Sequence, residues 1–215
     1  MKVLFENNNP AAPEVSFVLL DWSCRESFHT LQYLGDQSVS RGRYEIIWIE
    51  YYGRRSPEIE AGVKGCNWLQ KPPAVDRWIV MEMPEEVCYH KHLMYNIGIV
   101  AARGKIIVFC DSDAIVTQTF AESIINAFED DKAIVLHLDE VRNASKRFYP
   151  FNYPSLRDVT GRGCVNWTNG RASGLHAGED ALHALNYGAC MCALREDLID
   201  IGGADATSFH VDVDG

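Results

Sequence analysis

The chain has 215 residues, of which 47% are hydrophobic and 23% are charged, and its formal net charge is −10. This length and composition predict one soluble globular domain with a substantial core. The negative charge argues against a nucleic-acid partner, because contacts with a phosphate backbone require a basic surface. It does not exclude a nucleotide substrate, whose phosphates a metal ion can bridge.

No segment approaches the roughly 18 to 20 consecutive apolar residues of a membrane span, so we expect no transmembrane segment. Residues 1–14 lack the apolar core of a signal peptide, and we predict a polar N-terminal tail there. Among the seven cysteines, Cys110, Cys190 and Cys192 lie in apolar runs. These features predict packed, reduced thiols and a cytoplasmic protein, with peripheral attachment at the inner membrane face left open.

The first part of the chain alternates between β-rich runs and helical patterns. Val15 to Trp22 is a nearly continuous apolar run that predicts a buried strand, and the apolar spacing from Phe28 to Leu34 predicts a helix after it. A second β-rich run covers Tyr44 to Tyr52. Strand, helix and strand at this spacing predict a right-handed βαβ unit with parallel strands.

The alternation continues as far as residue 138. A loop with one short helix at 53–75 precedes a predicted strand at 78–83, and further patterns predict a helix at 120–128 and a strand at 133–138. Between the strand at 78–83 and the helix at 120–128, a stripe of apolar residues predicts the buried face of a helix that ends at Gly104: Tyr89, Leu93, Ile97 and Val100.

No periodicity is visible from residue 139 to 187, which predicts long loops of the kind that often act as lids. A strand at 188–194 and a short helix at 195–201 follow, and Gly202-Gly203 ends that helix. The whole pattern predicts an α/β fold: a single domain with a mostly parallel central sheet, helices on both faces and a long loop-rich insertion.

The central stretch of the sequence is KIIVFCDSDAIV, residues 105–116. Its apolar run predicts a strand buried on both faces, and Asp111 and Asp113 follow directly. Ligands of open α/β sheets bind at the carboxyl ends of the strands, and Mg²⁺ or Mn²⁺ is typically held there by carboxylates and substrate phosphates. We therefore predict a metal site; the alternative is a solvated turn that caps the next helix.

The residues that lead into this strand resemble a known signature. From Asn96 to Asp113 the pattern is NxGxxxAxGxIxxFxDSD, similar to the NxGxxxAxGxxIxFxDxD of family 2 glycosyltransferases. Arg195 followed by Gly202-Gly203 and Asp205 resembles that family's arginine and Gly-Gly-Phe-Asp segment. The resemblance covers most of residues 15–128 and 188–215.

The resemblance implies a GT-A (Rossmann-like) glycosyltransferase domain over residues 15–215. Residues 15–135 would form the half that binds the nucleotide sugar, and 136–215 the acceptor-side half. Because the family's segment after its acid motif is missing here, the resemblance implies that this second half is truncated at the C-terminus.

The implied activity is that of an inverting, metal-dependent glycosyltransferase of the hexosyltransferase type. It would move a sugar from a nucleotide-diphosphate sugar to the hydroxyl of a glycan, lipid-linked or small-molecule acceptor, with Mn²⁺ or Mg²⁺ as cofactor. The implied metal ligands are Asp111, Asp113 and His210. The residues implied in nucleotide-sugar binding are Asp21, Trp22, Glu50, Asn96 and Asp111.

Several of these roles have structural alternatives. Trp22 could stack on the base or simply pack in the core, and Glu50 could bind the nucleoside or be a solvated strand end. Asn96 could contact the donor or only hydrogen-bond a loop, and His210 could be an ordinary surface histidine.

The general base that deprotonates the acceptor is implied to be Asp212 or Asp214, in the acidic tail after Gly202-Gly203. Glu179-Asp180 spells the family's acid motif but precedes Arg195, so we interpret it as a coincidence. The sequence leaves two other functions to consider. One is a catalytically silent sugar-nucleotide-binding or regulatory module of the same fold. The other is a nucleotidyltransferase, which is disfavoured because DWSCRES, after the first strand, has no glycine.

Overall fold

The computed structural model describes residues 1–8, 11–21, 29–53, 57–64, 73–112, 114–138, 156–159, 167–168, 171–172 and 190–205. The strands are β1 (Lys2–Glu6), β2 (Val15–Asp21), β3 (Tyr44–Tyr52), β4 (Arg77–Met83), β5 (Ile106–Asp111), β6 (Leu136–Leu138), β7 (Trp167–Thr168), β8 (Arg171–Ala172) and β9 (Cys190–Leu194). The helices are α1 (His29–Gly35), α2 (Pro57–Lys64), α3 (Lys91–Ala101), α4 (Phe120–Asp130), α5 (Leu156–Val159) and α6 (Arg195–Asp200).

Seven strands form one sheet in the order β1-β4-β3-β2-β5-β9-β6, and β7 pairs with β8 in a separate ribbon. The central strands β4, β3, β2 and β5 are parallel to one another. β1 and β9 run antiparallel to them, and β6 runs antiparallel to β9. The predicted mostly parallel α/β sheet is confirmed, as is the parallel pairing of β2 with β3 on either side of α1.

Apolar side chains cover both faces of this sheet. One apolar layer contains Trp48 of β3, Leu34 of α1 and Phe128 of α4. The other contains Ile49 of β3 and Met94 of α3. Because every residue of β2 is buried, the strand needs helices on both sides, as a continuous apolar run predicts.

The three cysteines predicted to be packed are buried in the sheet. Cys110 and Cys190 are Cα partners in the pairing of β5 with β9, and their Sγ atoms are 2.8 Å apart. The contact with Cys190 and burial raise the pKa of the Cys110 thiol well above its ordinary value. Burial also raises the pKa of Cys192. The remaining described cysteine, Cys88, is exposed.

The predicted polar tail over residues 1–14 is wrong for its first part. Lys2–Glu6 form β1, an edge strand that pairs with β4. Leu4 and Phe5 pack against the core. A five-residue strand with a bulge carries too little periodicity to be recognised, and only its pairing with β4 reveals it. The strand predicted at 133–138 is also shorter, because β6 begins at Leu136.

The predicted buried face of α3 is wrong at Val100, although the other three residues of the stripe pack against the core. Val100 is 77% exposed, whereas Met94, Gly98 and Ile99 are buried. Gly98 brings the helix so close to β2 that an added Cβ would lie 2.4 Å from Cγ1 of Val18. The glycine of the motif therefore selects which face of the helix contacts the sheet.

Buried carboxylates anchor the turns at the amino ends of the parallel strands. Glu45 is fully buried and accepts hydrogen bonds from Ser16 Oγ at 2.6 Å and from Arg103 Nε at 2.7 Å. The backbone N–H of Arg103 also donates to it, at 2.6 Å. This network holds the turn between α3 and β5 and so fixes where β5 begins.

The helices in the described part of the chain are all too short or too polar to span a bilayer.

Candidate active site

The carboxyl ends of β2, β3 and β5 bring three of the predicted acids to one edge of the sheet. Asp21 and Glu50 are Cα partners in the pairing of β2 with β3. Asp111 is the partner of Leu20, the residue before Asp21. Because neighbouring strands lie about 5 Å apart, the three residues span roughly 10 Å of this edge. This is where open parallel sheets bind ligands.

The alternation of side chains along the strands divides these acids between the two faces. Asp21 and Glu50 each lie two residues after a member of the apolar layer that contacts α4 (Leu19 and Trp48). Asp111 lies two residues after Phe109, a member of the layer that contacts α3. Asp21 and Glu50 thus form a pair on one face, and Asp111 extends from the other.

The Asp21–Glu50 pair is buried. Glu50 is 1% exposed and Asp21 is 7% exposed. The indole N–H of Trp48 donates to Glu50 Oε1 at 3.2 Å. The alternative that Glu50 is a solvated strand end is therefore wrong. Burying carboxylates costs free energy unless hydrogen bonds offset it, and such positions are frequent at functional sites.

Asp111 is held in place through its backbone. The hydroxyl of the buried Thr30, in α1, lies 3.1 Å from the carbonyl oxygen of Asp111 and 2.7 Å from that of Ala114. A single hydroxyl therefore contacts both the first residue of the Asp-Ser-Asp segment and the residue that follows the segment. The side chain of Asp111 is 30% exposed, so it is open to a ligand.

Lys91 is a site residue that the sequence analysis missed. It is the first residue of α3, and its Nζ lies 3.4 Å from Asp111 Oδ1 and 5.7 Å from the centre of the Tyr95 ring. Burial would lower the pKa of Lys91, but the charge of Asp111, with a contribution from Tyr95, outweighs it and raises the pKa. The sequence feature that could have indicated Lys91 is its position at the start of α3, the helix that leads into β5.

Asn96, predicted to bind the nucleotide sugar, contacts protein backbone with both of its polar groups. Its Nδ2 donates to the carbonyl oxygen of Ala204 at 2.9 Å, and its Oδ1 accepts from the N–H of Ala204 at 2.7 Å. These contacts favour the alternative in which Asn96 holds a loop. Its role as a donor ligand stays a prediction.

The other predicted site residues lie outside the described residues: Trp22, Asp113, His210, Asp212 and Asp214. In the part of the chain that the structure describes, no group of three or more His, Cys, Asp or Glu side chains is arranged to hold a metal ion. Asp111 offers carboxylate oxygen, the ligand type that Mg²⁺ and Mn²⁺ prefer. The carboxylate of Asp111 at this edge is therefore a suitable ligand for such an ion, which requires further ligands.

Comparison with known proteins identifies the family. Residues 77–201, which include α3, β5 and α6, match the model of glycosyl transferase family 2. The chain belongs to this family. No curated protein sequence matches the chain significantly.

Two solved glycosyltransferase structures show a similar fold. The mannosyltransferase PcManGT from Pyrobaculum calidifontis, in complex with GDP-Man and Mn²⁺, is 14% identical with a TM-score of 0.52, over 96% of this chain and 53% of that chain. S. aureus TarS 1–349, in complex with UDP-GlcNAc, is 11% identical with a TM-score of 0.51, over 87% of this chain and 47% of that chain. The glycosyltransferase chain spans about half the length of these structures. At such identities the likeness shows the fold alone, and it confirms the predicted GT-A fold.

Proposed function

We propose that this family 2 member is an inverting, metal-assisted glycosyltransferase. It transfers a sugar from a nucleotide-diphosphate sugar to the hydroxyl of a glycan, lipid-linked or small-molecule acceptor. The observation that carries the proposal is that Asp21, Glu50 and Asp111 lie at the carboxyl ends of three adjacent parallel strands, in a chain of this family.

The donor and the metal are proposed from the two similar structures. One holds GDP-Man and Mn²⁺, and the other holds UDP-GlcNAc. We therefore propose a nucleotide-diphosphate sugar as donor and Mn²⁺ or Mg²⁺ as cofactor for this chain.

The nucleoside is assigned to the buried acid pair. Ionised carboxylates accept hydrogen bonds only, so Asp21 and Glu50 suit the hydroxyls of a ribose and the N–H groups of a base. Trp22, which follows Asp21, supplies an aromatic face on which a base can stack. Both acids lie on the same face, so one nucleoside can contact both.

The diphosphate is assigned to the edge around Asp111. Asp111, Asp113 and His210 would hold the metal ion, which when bound neutralises charge on the leaving diphosphate. Lys91 places a second positive charge beside Asp111. Thr30 holds the backbone at Asp111 and Ala114 through hydrogen bonds to their carbonyl oxygens.

The chemical step needs a base. Asp212 or Asp214 takes the proton of the acceptor hydroxyl while its oxygen forms a bond to the anomeric carbon. The bond from that carbon to the diphosphate oxygen breaks on the opposite side, and the nucleoside diphosphate leaves with the electron pair. The configuration at the anomeric carbon is thereby inverted.

The proposal is tested by thermal unfolding with a panel of nucleotide sugars, each with and without Mn²⁺. The matching donor with Mn²⁺ should raise the melting temperature by about 5 °C or more at about 100 times its dissociation constant. Asp113→Ala and Asp111→Asn should remove the Mn²⁺-dependent part. Asp130→Asn, an exposed acid at the end of α4, is the matched control and should leave the shift intact.

Release of nucleoside diphosphate from the bound donor then separates an enzyme from a binding module. Slow hydrolysis without an acceptor, lost in Asp113→Ala, supports the transferase. Donor binding without any release would assign the chain to the silent sugar-nucleotide-binding alternative. No binding of any donor would overturn both.

A further inference from the structure

Helix α3 contacts two separate parts of the candidate active site. Its first residue, Lys91, lies beside Asp111. Farther along the same helix, His92 and Asn96 contact the backbone of residues 202–205, the turn that follows α6. We call these four residues the Gly-Gly turn.

The contact of Asn96 with the Gly-Gly turn is a double hydrogen bond. The side-chain amide donates to and accepts from the same residue, Ala204, at 2.9 and 2.7 Å, much as a neighbouring strand would. Gly203 has φ +83°, and an added Cβ there would lie 2.5 Å from Asn96 Oδ1. A side chain at position 203 would therefore displace the amide of Asn96. Glycine at this position is what allows the amide to approach the turn.

His92 fixes the next residue of the turn. Its Nδ1 lies 2.7 Å from the carbonyl oxygen of Asp205. Because a carbonyl oxygen only accepts, the hydrogen of this bond must be on Nδ1 of His92. Three hydrogen bonds from one helix thus hold two consecutive residues, Ala204 and Asp205.

The other end of α6 is attached to the same helix. Arg195, its first residue, donates from Nε to the carbonyl oxygen of Ile99 at 2.9 Å. Helix α3 in turn is pressed against β2 through Gly98 and Val18. The Gly-Gly turn is therefore held to the central sheet through α3 at both ends of α6.

We propose that Asn96 and His92 are positioning residues of the transferase, and not ligands of the donor. They hold the backbone at Ala204 and Asp205, seven residues before Asp212 in the sequence, in a fixed relation to Asp111. Helix α3 thereby fixes Ala204 and Asp205, from which the chain continues towards the proposed base, in their position relative to Asp111. This inference rests on the proposed function.

The kinetic test uses variants of both residues, at a temperature well below their melting temperatures. Asn96→Asp keeps the acceptor for Ala204 but places an oxygen against its carbonyl, and His92→Ala removes the bond to Asp205. Each should lower kcat by about 10- to 100-fold, because misplaced groups lose rate steeply, while the KM for the donor stays within about twofold. His92→Asn, whose amide can donate from nearly the same place, should recover most of the rate.

Val100→Ala is the matched control. Val100 lies on the same helix, is 77% exposed and should leave both kcat and KM unchanged. A rise in the donor KM with unchanged kcat in Asn96→Asp would make Asn96 a donor ligand and overturn the proposal. A lower melting temperature with unchanged kcat and KM would show a role in stability alone and would also overturn it.

A second measurement does not depend on activity. The N–H of Ala204 donates to Asn96, so its hydrogen exchange should be markedly faster in Asn96→Ala than in the wild type, and unchanged in Val100→Ala. Equal exchange in Asn96→Ala and wild type would overturn the inference, whatever the kinetics. If the wild type turns over no donor, the proposed function fails, and the exchange rates still decide whether α3 holds the turn.

Discussion

Lys91 Nζ lies 3.4 Å from Asp111 Oδ1, with the two side chains 33% and 30% exposed. The pair joins the first residue of α3 to the last residue of β5, because that helix starts at the edge where the strand ends. A positive charge is thus already present where the proposed transferase must bind an anionic diphosphate.

Replacing Lys91 should change metal and nucleotide binding in opposite directions. In Lys91→Met the repulsion between the ammonium group and a divalent cation is gone, so Mn²⁺ alone should bind about two- to fivefold more tightly. A nucleoside diphosphate without metal should bind more weakly, by a similar factor. Isothermal titration calorimetry measures both.

Lys132→Met is the control for Lys91, since Lys132 is an exposed lysine that follows α4. It should alter neither affinity. If Lys91→Met weakens both ligands equally, the lysine does not compete with the cation for Asp111 and its assignment is wrong.

Removing the buried carboxylate of Glu45 should strongly destabilise the fold. Glu45→Ala removes the acceptor of Arg103 Nε, of the Ser16 hydroxyl and of the backbone N–H of Arg103. We expect the free energy of unfolding to fall by about 3 kcal/mol, measured by urea denaturation. Glu129→Ala, at a side chain 65% exposed, should change it by less than about 0.5 kcal/mol. Equal effects would mean that the buried network is not formed.

Gly98→Ala should destabilise the fold through α3. The new Cβ would lie 2.4 Å from Val18 Cγ1, so the helix must shift away from β2. The expected loss is about 1–3 kcal/mol in the free energy of unfolding, from thermal or urea denaturation. Gly35→Ala is the matched substitution, because an added Cβ there meets nothing within 4 Å. Adding Val18→Ala to Gly98→Ala should recover part of the loss if the clash is its cause.

The surface pair Glu14–Arg43 predicts a pH dependence of stability. Hydrogen bonds from Arg43 Nε and Nη2 lower the pKa of the Glu14 carboxyl below its ordinary value of 4.5. A carboxyl with a lowered folded-state pKa stabilises the fold above its unfolded-state pKa, and this contribution is lost as the pH falls through the folded-state pKa.

Arg43→Met should therefore be less stable than wild type at pH 7, by about 0.5 kcal/mol for so exposed a pair. The difference between the two proteins should shrink below about pH 4.5. Urea denaturation at several pH values measures it. A difference that grows towards low pH would contradict the assignment of the shift to Arg43.

Much of the fold follows from local patterns. The observed bounds of β3, Tyr44–Tyr52, are those that the sequence predicts, because seven of its nine residues are β-branched or aromatic and such a run favours a strand buried on both faces of a sheet. The same reasoning places Asp111 at the carboxyl end of β5. The motif from Asn96 to Asp113 also indicated the family, which the match over residues 77–201 confirms.

Other features depend on residues that are far apart in the sequence. The pattern of α3 favoured Val100 as a core residue, yet the close approach at Gly98 turns it outward to 77% exposure. The pairing of β1 with β4 and the contact of Asn96 with Ala204, 108 residues away, leave no periodic signal in either segment.

The sequence by itself therefore determined the α/β class, the buried strands and the position of the acids at the ends of two of them. Only the tertiary structure decided that Asp21 and Glu50 share a face, that Lys91 reaches Asp111 and that Asn96 holds the Gly-Gly turn. The physical reason is that periodicity records which side of an element avoids water, whereas the identity of the partner across a contact is set by how separate elements pack.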